Sequence, residues 1–274
     1  MSLTVNTNLA SIRAANSLNA TQGKLSHSLA RVSSGLRVTK AADDAAGSAV
    51  AHNLNTVARS GRQASRNAND GISVIQTAES ATREVLNILD RLRELAVQSS
   101  SDTLDDDERA YIQSESNQLT DEIERIAQSS EFNGISLNNG DLTTMTVQVG
   151  VDGSATSQID ITLGDLTESS LGVQALILST STGARTAIGT VDTAIDAVNS
   201  VRAGYGAVQN RLDSSIRNMS TYVESLSAAS SQIMDTDYAH ETAEMTKYQV
   251  MQQAGVAALS QAKTINQSVV SLLG

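Results

Sequence analysis

Three histidines, His27, His52 and His240, are the only imidazoles in the chain, and they are widely separated in sequence. A helix-borne zinc site needs two histidines one turn apart with a glutamate between them, and His240-Glu241 is followed by Glu244 where the second histidine should stand. Solvated histidines on helix faces account for all three. The run Asp105, Asp106, Asp107, Glu108 has the charge for calcium, but it lacks the glycine and the alternate-position acids of a calcium loop. Acids collected at a helix N-terminus explain it better, favoured there by free amides and the helix dipole. Gly204-Tyr205-Gly206 interrupts a helical pattern instead of following a strand, which excludes a dinucleotide loop. The absence of cysteine removes disulfides, thiolate nucleophiles and zinc–cysteine sites together. The residues therefore give no catalytic group, no cofactor site and no metal site, and the chain reads as a non-enzyme.

Charge narrows the partners. The net charge is −11, which disfavours nucleic acid, because phosphate binding needs clustered Lys and Arg. Residues 1–42 form a basic arm with Arg13, Lys24, Arg31, Arg37 and Lys40 and no acid, so the remainder is strongly acidic. An acid-free, Arg- and Ser-containing start also fits a transit peptide, but no cleavage-like break follows Gly35. No run of about 18 apolar residues is available for membrane insertion, and no secretory signal core follows the first basic residues.

The elements that would position any site are long helices. Val50, Leu54, Val57, Gly61, Ala64, Ala68, Gly71, Ile75, Ala78, Thr82, Val85, Leu89, Leu92 and Ala96 step by threes and fours. A second ladder repeats the pattern from Ala187 through Val191, Ala194, Val198, Val201, Tyr205, Val208, Leu212, Ser215, Met219, Tyr222, Leu226 and Ala229 to Ile233. A mean step of about 3.5 residues keeps a stripe facing a partner only in a left-handed supercoil. Each ladder spans roughly 70 Å at helical rise, and the chain has no proline to interrupt either one. With one Phe and no Trp, the core must be thin and aliphatic. Small residues such as Gly61 and Gly71 let backbones approach.

The expected fold is mainly α: an elongated antiparallel coiled coil or helix bundle with a small β-hairpin region. The rod domain covers residues 43–234, with long helices at about 43–100 and 183–234, a third helix at about 105–129 and a hairpin at about 143–165. Asn133-Gly134, Asn139-Gly140 and Asp152-Gly153 mark turns, and the strands alternate through Met145, Val147, Val149 and Ile159, Ile161, Leu163. Residues 1–42 and 235–274 form a discontinuous terminal domain of two paired helices, the first over 3–34 and closed by Gly35 as a left-handed cap. Its apolar positions Leu9, Ile12, Leu18, Leu25, Leu29, Val32, Met251, Ala258, Ile265, Val269 and Leu272 are the candidate polymerisation residues. Two such helices are marginal alone in water, so neighbouring copies should fix them. Repeated heterologous contacts build an open helical filament.

Several segments carry a specific resemblance. Residues 33–47 read SSGLRVTKAADDAAG, 67–81 read NANDGISVIQTAESA, 94–99 read ELAVQS and 207–212 read AVQNRL. Phe132-Asn133-Gly134 opens the hairpin region, and Asp235, Asp237, Ala239, Glu241, Gln252, Gln253, Ala254, Leu259, Gln261 and Ala262 follow in order. Together they resemble bacterial flagellin in a minimal form without large outer domains.

The resemblance implies the structural subunit of the flagellar filament, serving motility. Such a subunit is secreted through the type III export apparatus with an export chaperone, works outside the cell, and adjoins hook-associated and cap proteins. It implies that the terminal helices form the inner filament core. It also implies a contact for the vertebrate Toll-like receptor for flagellin at Arg91, Leu95, Gln98 and Glu115. The alternatives are a hook-filament junction (hook-associated) protein, which shares the terminal helices, and a free-standing coiled-coil scaffold, which leaves the basic arm unexplained.

Overall fold

The computed structural model describes the backbone of residues 7–271 and the side chains of residues 7–264. Five helices and two small hairpins follow in chain order: α1 (Leu9–Ser34), α2 (Ala45–Ser99), α3 (Asp106–Ser129), β1 (Glu131–Phe132), β2 (Ile135–Ser136), β3 (Thr144–Gln148), β4 (Gln158–Thr162), α4 (Ser181–Met234) and α5 (Tyr238–Ser271). The chain divides into two compact units, Val57–Glu224 and the pair of segments Met1–Thr56 and Ser225–Gly274. The division thus falls inside α2 and α4, whereas the expected rod domain covers residues 43–234.

The 57–224 unit holds nearly all the apolar core. From Gly61 to Ala96 every position of the first ladder is buried. One cluster gathers Val85, Leu89, Leu92 and Leu95 of α2 with Ile112 and Ile123 of α3 and Val191 and Val198 of α4. A second gathers Ile75 of α2, Val147, Ile159 and Ile161 of the β3–β4 hairpin, and Tyr205 and Leu212 of α4. Small residues are needed where elements meet closely. A Cβ on Gly61 would stand 2.7 Å from a methyl of Val223, and one on Gly164 would stand 2.6 Å from a methyl of Val201. The acidic run does what its position suggested: Asp105 Oδ1 accepts from the Glu108 amide at 2.8 Å, and Glu108 Oε2 accepts from the Asp105 amide at 3.2 Å. This reciprocal capping box starts α3.

A buried polar knot ties the hairpin region to the helices. The Tyr205 hydroxyl donates to Asn138 Oδ1 at 3.2 Å and accepts from the Gly164 amide at 3.1 Å. Asn138 Nδ2 donates to Ser130 Oγ at 2.9 Å, and the Asn138 carbonyl accepts from Leu166 N at 2.9 Å. Burial pushes the Tyr205 phenol above its ordinary value, against a lowering by the Gly164 amide.

β3 and β4 pair antiparallel from Thr144–Thr162 to Gln148–Gln158, inside the expected hairpin. β1 and β2 form a further hairpin, outside the one expected at about 143–165. Its turn is Asn133-Gly134, with φ of 52° and 77°. The ladders also slip at one end. Val50 and Tyr222 are exposed, and Ala51 and Ala58 are buried beside the expected Val50 and Val57.

In the terminal unit α1 begins at Leu9, not near residue 3, because Asn8 caps it: Asn8 Oδ1 accepts from the Ser11 amide at 2.9 Å. It ends at Gly35, whose φ of 72° is the left-handed cap expected there. The connector that follows is pinned by main-chain bonds from Arg37 N to the Met234 carbonyl at 2.6 Å and from Thr236 N to the Gly35 carbonyl at 3.0 Å.

Candidate functional site

α1 and α5 pair antiparallel, and polar bonds mark the register from end to end. The Tyr238 hydroxyl donates to the Val32 carbonyl at 2.8 Å, Gln252 Nε2 to Gln22 Oε1 at 2.8 Å, and Asn8 Nδ2 to the Ala262 carbonyl at 2.9 Å. Along this seam α1 contributes Leu18, Leu25 and Val32, all half-buried, with Thr21 and Ser28 buried between them. α5 contributes Met245, Tyr248, Gln252, Gly255 and Leu259, with buried Glu241. Gly255 sits under Leu18, whose methyl would lie 3.2 Å from an added Cβ. Across this unit the buried apolar side chains among the described residues are Val38 and Ala51 alone.

The remaining apolar residues of the two helices face away from the seam. Leu9 is 55% exposed, Ile12 53% and Leu29 56%. On α5, Val250, Met251, Val256 and Ala258 are exposed as well. The candidate polymerisation residues therefore separate into two sets. Leu18, Leu25 and Val32 pack within the chain, whereas Leu9, Ile12, Leu29, Met251 and Ala258 are uncovered. The side chains of Ile265 and Val269, and Leu272 altogether, lie outside the described residues. Val250 and Val256 are exposed apolar residues outside the expected stripe, because they lie off the positions spaced like Met251 and Ala258.

A polar cleft of about 490 Å³ lies in the same unit, with Lys24, His27, Arg31 and Arg37 among its lining residues on the α1 side and Asp237, His240, Glu241 and Glu244 on the α5 side. Two of the three histidines thus share one cleft, but no group of three metal-binding side chains converges among the described residues. Beside it, Asp43 accepts from His27 Nε2 at 3.0 Å, from the Thr39 amide and hydroxyl at 3.0 and 2.9 Å, and from the Lys40 amide at 3.1 Å. These bonds, His27 first and the Thr39 hydroxyl next, hold the Asp43 carboxyl well below the usual carboxylate range.

A folded-state value below the unfolded one gives stability that is present above the unfolded pKa of about 4 and is lost as pH falls through the folded one. Asp43→Asn is therefore expected to melt below the wild type at neutral pH, with the gap closing under acid conditions. Thermal circular dichroism across the pH range tests this, and a gap that stays constant into strong acid would refute it.

The four expected receptor positions fall in the 57–224 unit. Arg91 Nη2 and Nε donate to Glu115 Oε1 at 2.7 and 3.1 Å, and Nη1 donates to Glu94 Oε2 at 3.1 Å. Glu115 and then Glu94 raise the Arg91 guanidinium further above its ordinary value. Gln98 is exposed nearby, whereas Leu95 is 1% exposed and belongs to the core, so it contributes no surface. Leu92, Leu95 and Ala96 are all buried, a broader face than a single ladder predicts. Among the described residues no helix is long and apolar enough to cross a membrane.

This architecture and its unpartnered terminal face can be set beside known proteins. Residues 5–143 match the family model of the bacterial flagellin N-terminal helical region, and residues 188–273 match that of the C-terminal helical region. A flagellin of Halalkalibacterium halodurans is 39% identical over 269 residues, covering 98% of this chain and 99% of the relative. The flagellar filament 33 kDa core protein of Treponema phagedenis is 38% identical over 283 residues, with the same coverage. Among solved structures, a flagellin of Bacillus cereus superposes with a TM-score of 0.50 at 31% identity, covering 56% of this chain and 88% of that one. With both terminal regions matched and relatives similar along almost their whole length, the chain belongs to the bacterial flagellin family.

Proposed function

We propose that the chain is the structural subunit of a bacterial flagellar filament and that the α1–α5 unit is its polymerising element, forming the inner core of the filament. The observation that carries this reading is the contrast within the terminal unit. Its described residues bury almost no apolar core of their own, yet they leave Leu9, Ile12, Leu29, Val250, Met251 and Val256 uncovered. Exposed apolar area of that kind is stabilised when copies bury it against one another, at about 25 cal/mol per Å². The role is structural, not enzymatic. Filament names on the full-length relatives favour this reading over a hook–filament junction protein. Export through the flagellar type III apparatus, an extracellular location, and contacts with a chaperone, cap and hook-associated proteins follow as parts of the same proposal. A receptor contact, if made at the expected site, uses Arg91, Gln98 and Glu115 without Leu95.

Seeded growth followed by electron microscopy tests the proposal. The full chain is expected to form long filaments, and a chain lacking residues 250–274 is expected to remain a monomer by sedimentation. Filaments from the truncated chain would refute the role of α5. Short stacks that stop growing from the full chain would favour the junction alternative.

A further inference from the structure

The chain contains two Asn-Gly pairs six residues apart, Asn133-Gly134 and Asn139-Gly140, in opposite surroundings. We propose that Asn133 is a site of spontaneous backbone modification, converting through a succinimide to aspartate and isoaspartate, and that the fold protects Asn139 from the same reaction.

The Gly134 main-chain nitrogen attacks Asn133 Cγ. The N–Cγ bond forms, the Cγ–Nδ2 bond breaks, and the side-chain nitrogen leaves as ammonia with the proton of the attacking amide. Water then adds to either imide carbonyl and opens the ring. The net change is NH₂ for OH, and no oxidant or reductant is needed. Glycine as the following residue favours the attack because no Cβ crowds the nucleophile.

Around Asn133 the side chain and the attacking amide are unrestrained. It is exposed, and an atom placed at the Cβ position of Gly134 would meet nothing within 4 Å. Among the described residues neither the Asn133 side chain nor the Gly134 N–H is held by a hydrogen bond. The left-handed turn must rotate for Cγ to reach the nitrogen, and the hairpin that holds it has only two residue pairs, Glu131–Ser136 and Phe132–Ile135. So short a ladder opens locally at small cost.

Asn139 is half-buried and its side chain is held. Its Nδ2 donates to Asp141 Oδ2 at 2.6 Å, and its Oδ1 accepts from the Asp141 amide at 3.1 Å. Gly140 is walled in by the Asp165 carboxyl, 2.7 Å from the place of an added Cβ. The preceding Leu137 and Asn138 are buried, which anchors the turn. At Asn133, by contrast, an isoaspartate would add a methylene to the main chain and a carboxylate to a two-residue turn, displacing the Phe132–Ile135 register.

The test is a time course of the full-length protein at mildly alkaline pH, with both sites quantified by peptide mass spectrometry and isoaspartate by enzymic methylation, beside a sample unfolded in urea. In the folded chain Asn133 is expected to convert several times faster than Asn139. In urea the two rates should converge, since both asparagines precede glycine. Asn133→Gln should remove the methylation signal of the folded chain. Equal rates in the folded chain, a rate ratio unchanged by urea, or an intact Asn133 under conditions where the unfolded chain converts would each overturn the proposal.

Discussion

Replacing Leu9 and Ile12 together by aspartate is expected to abolish seeded filament growth while leaving the 57–224 unit as stable as before. Both side chains are more than half exposed and lie away from the Leu18–Gly255 seam, so carboxylates there remain hydrated in the isolated chain. Assembly changes the balance. A carboxylate enclosed between copies loses its water, and an unpaired buried charge costs several kcal/mol. Two are introduced per subunit, and a helical polymer repeats that cost at every addition. Light scattering after seeding should stay flat, and micrographs should show no filaments. Growth at the wild-type rate would show that this face is not an assembly contact, and altered urea unfolding of the 57–224 unit would show that the variant acts elsewhere.

Val208→Pro is expected to have the largest effect on stability. Val208 lies inside α4, half-buried against the cluster built around the β3–β4 hairpin, between Tyr205 and Leu212. Proline there removes the amide that bonds to the carbonyl of Gly204, and its ring clashes with that carbonyl, at about 3 kcal/mol or more. The kink would also shift Tyr205 relative to Asn138 and Gly164, leaving buried polar groups unmatched. Against a total stability of about 5–15 kcal/mol for a domain, this removes a large share. Urea unfolding should show a clearly lowered midpoint, and a midpoint equal to that of the wild type would contradict the packing described for α4.

The helices were legible because their signal is long and regular. The stripe from Gly61 to Ala96 is continuous, and the seam it marks is the one that is buried. The first ladder fails at Val50, where the buried position is Ala51, and the second at Tyr222, where Val223 is the more buried neighbour. A helix drifts by about 20° per heptad against a strict seven-residue repeat, and a ladder drawn on that repeat loses phase away from its best-packed stretch. Leu95, which the resemblance implies as a receptor contact, is buried in the core instead. At that level α2 is packed by both α3 and α4, so Leu95 is buried beside the ladder positions Leu92 and Ala96.

The β1–β2 hairpin shows a different limit. Its Asn-Gly turn was visible, but Phe132 and Ile135 flank it too briefly for alternation to register. On the terminal helices the residue types were legible but their partners were not. α5 carries apolar residues on more than one side, and sequence alone does not say which side meets α1 and which waits for another copy. The polar seam bonds Asn8–Ala262 and Gln22–Gln252 settle that, and they join residues more than 200 positions apart.

The polar knot at Tyr205 also gives the protein an optical reporter. With no tryptophan and one phenylalanine, the near-ultraviolet spectrum belongs to five tyrosines. Tyr111, Tyr222 and Tyr238 are exposed and Tyr248 is half-buried, so Tyr205 alone is fully buried and held by hydrogen bonds on both sides of its hydroxyl. Near-ultraviolet dichroism therefore reads mainly the packing of the 57–224 unit, label-free, with a smaller part from Tyr238 and Tyr248 at the α1–α5 seam.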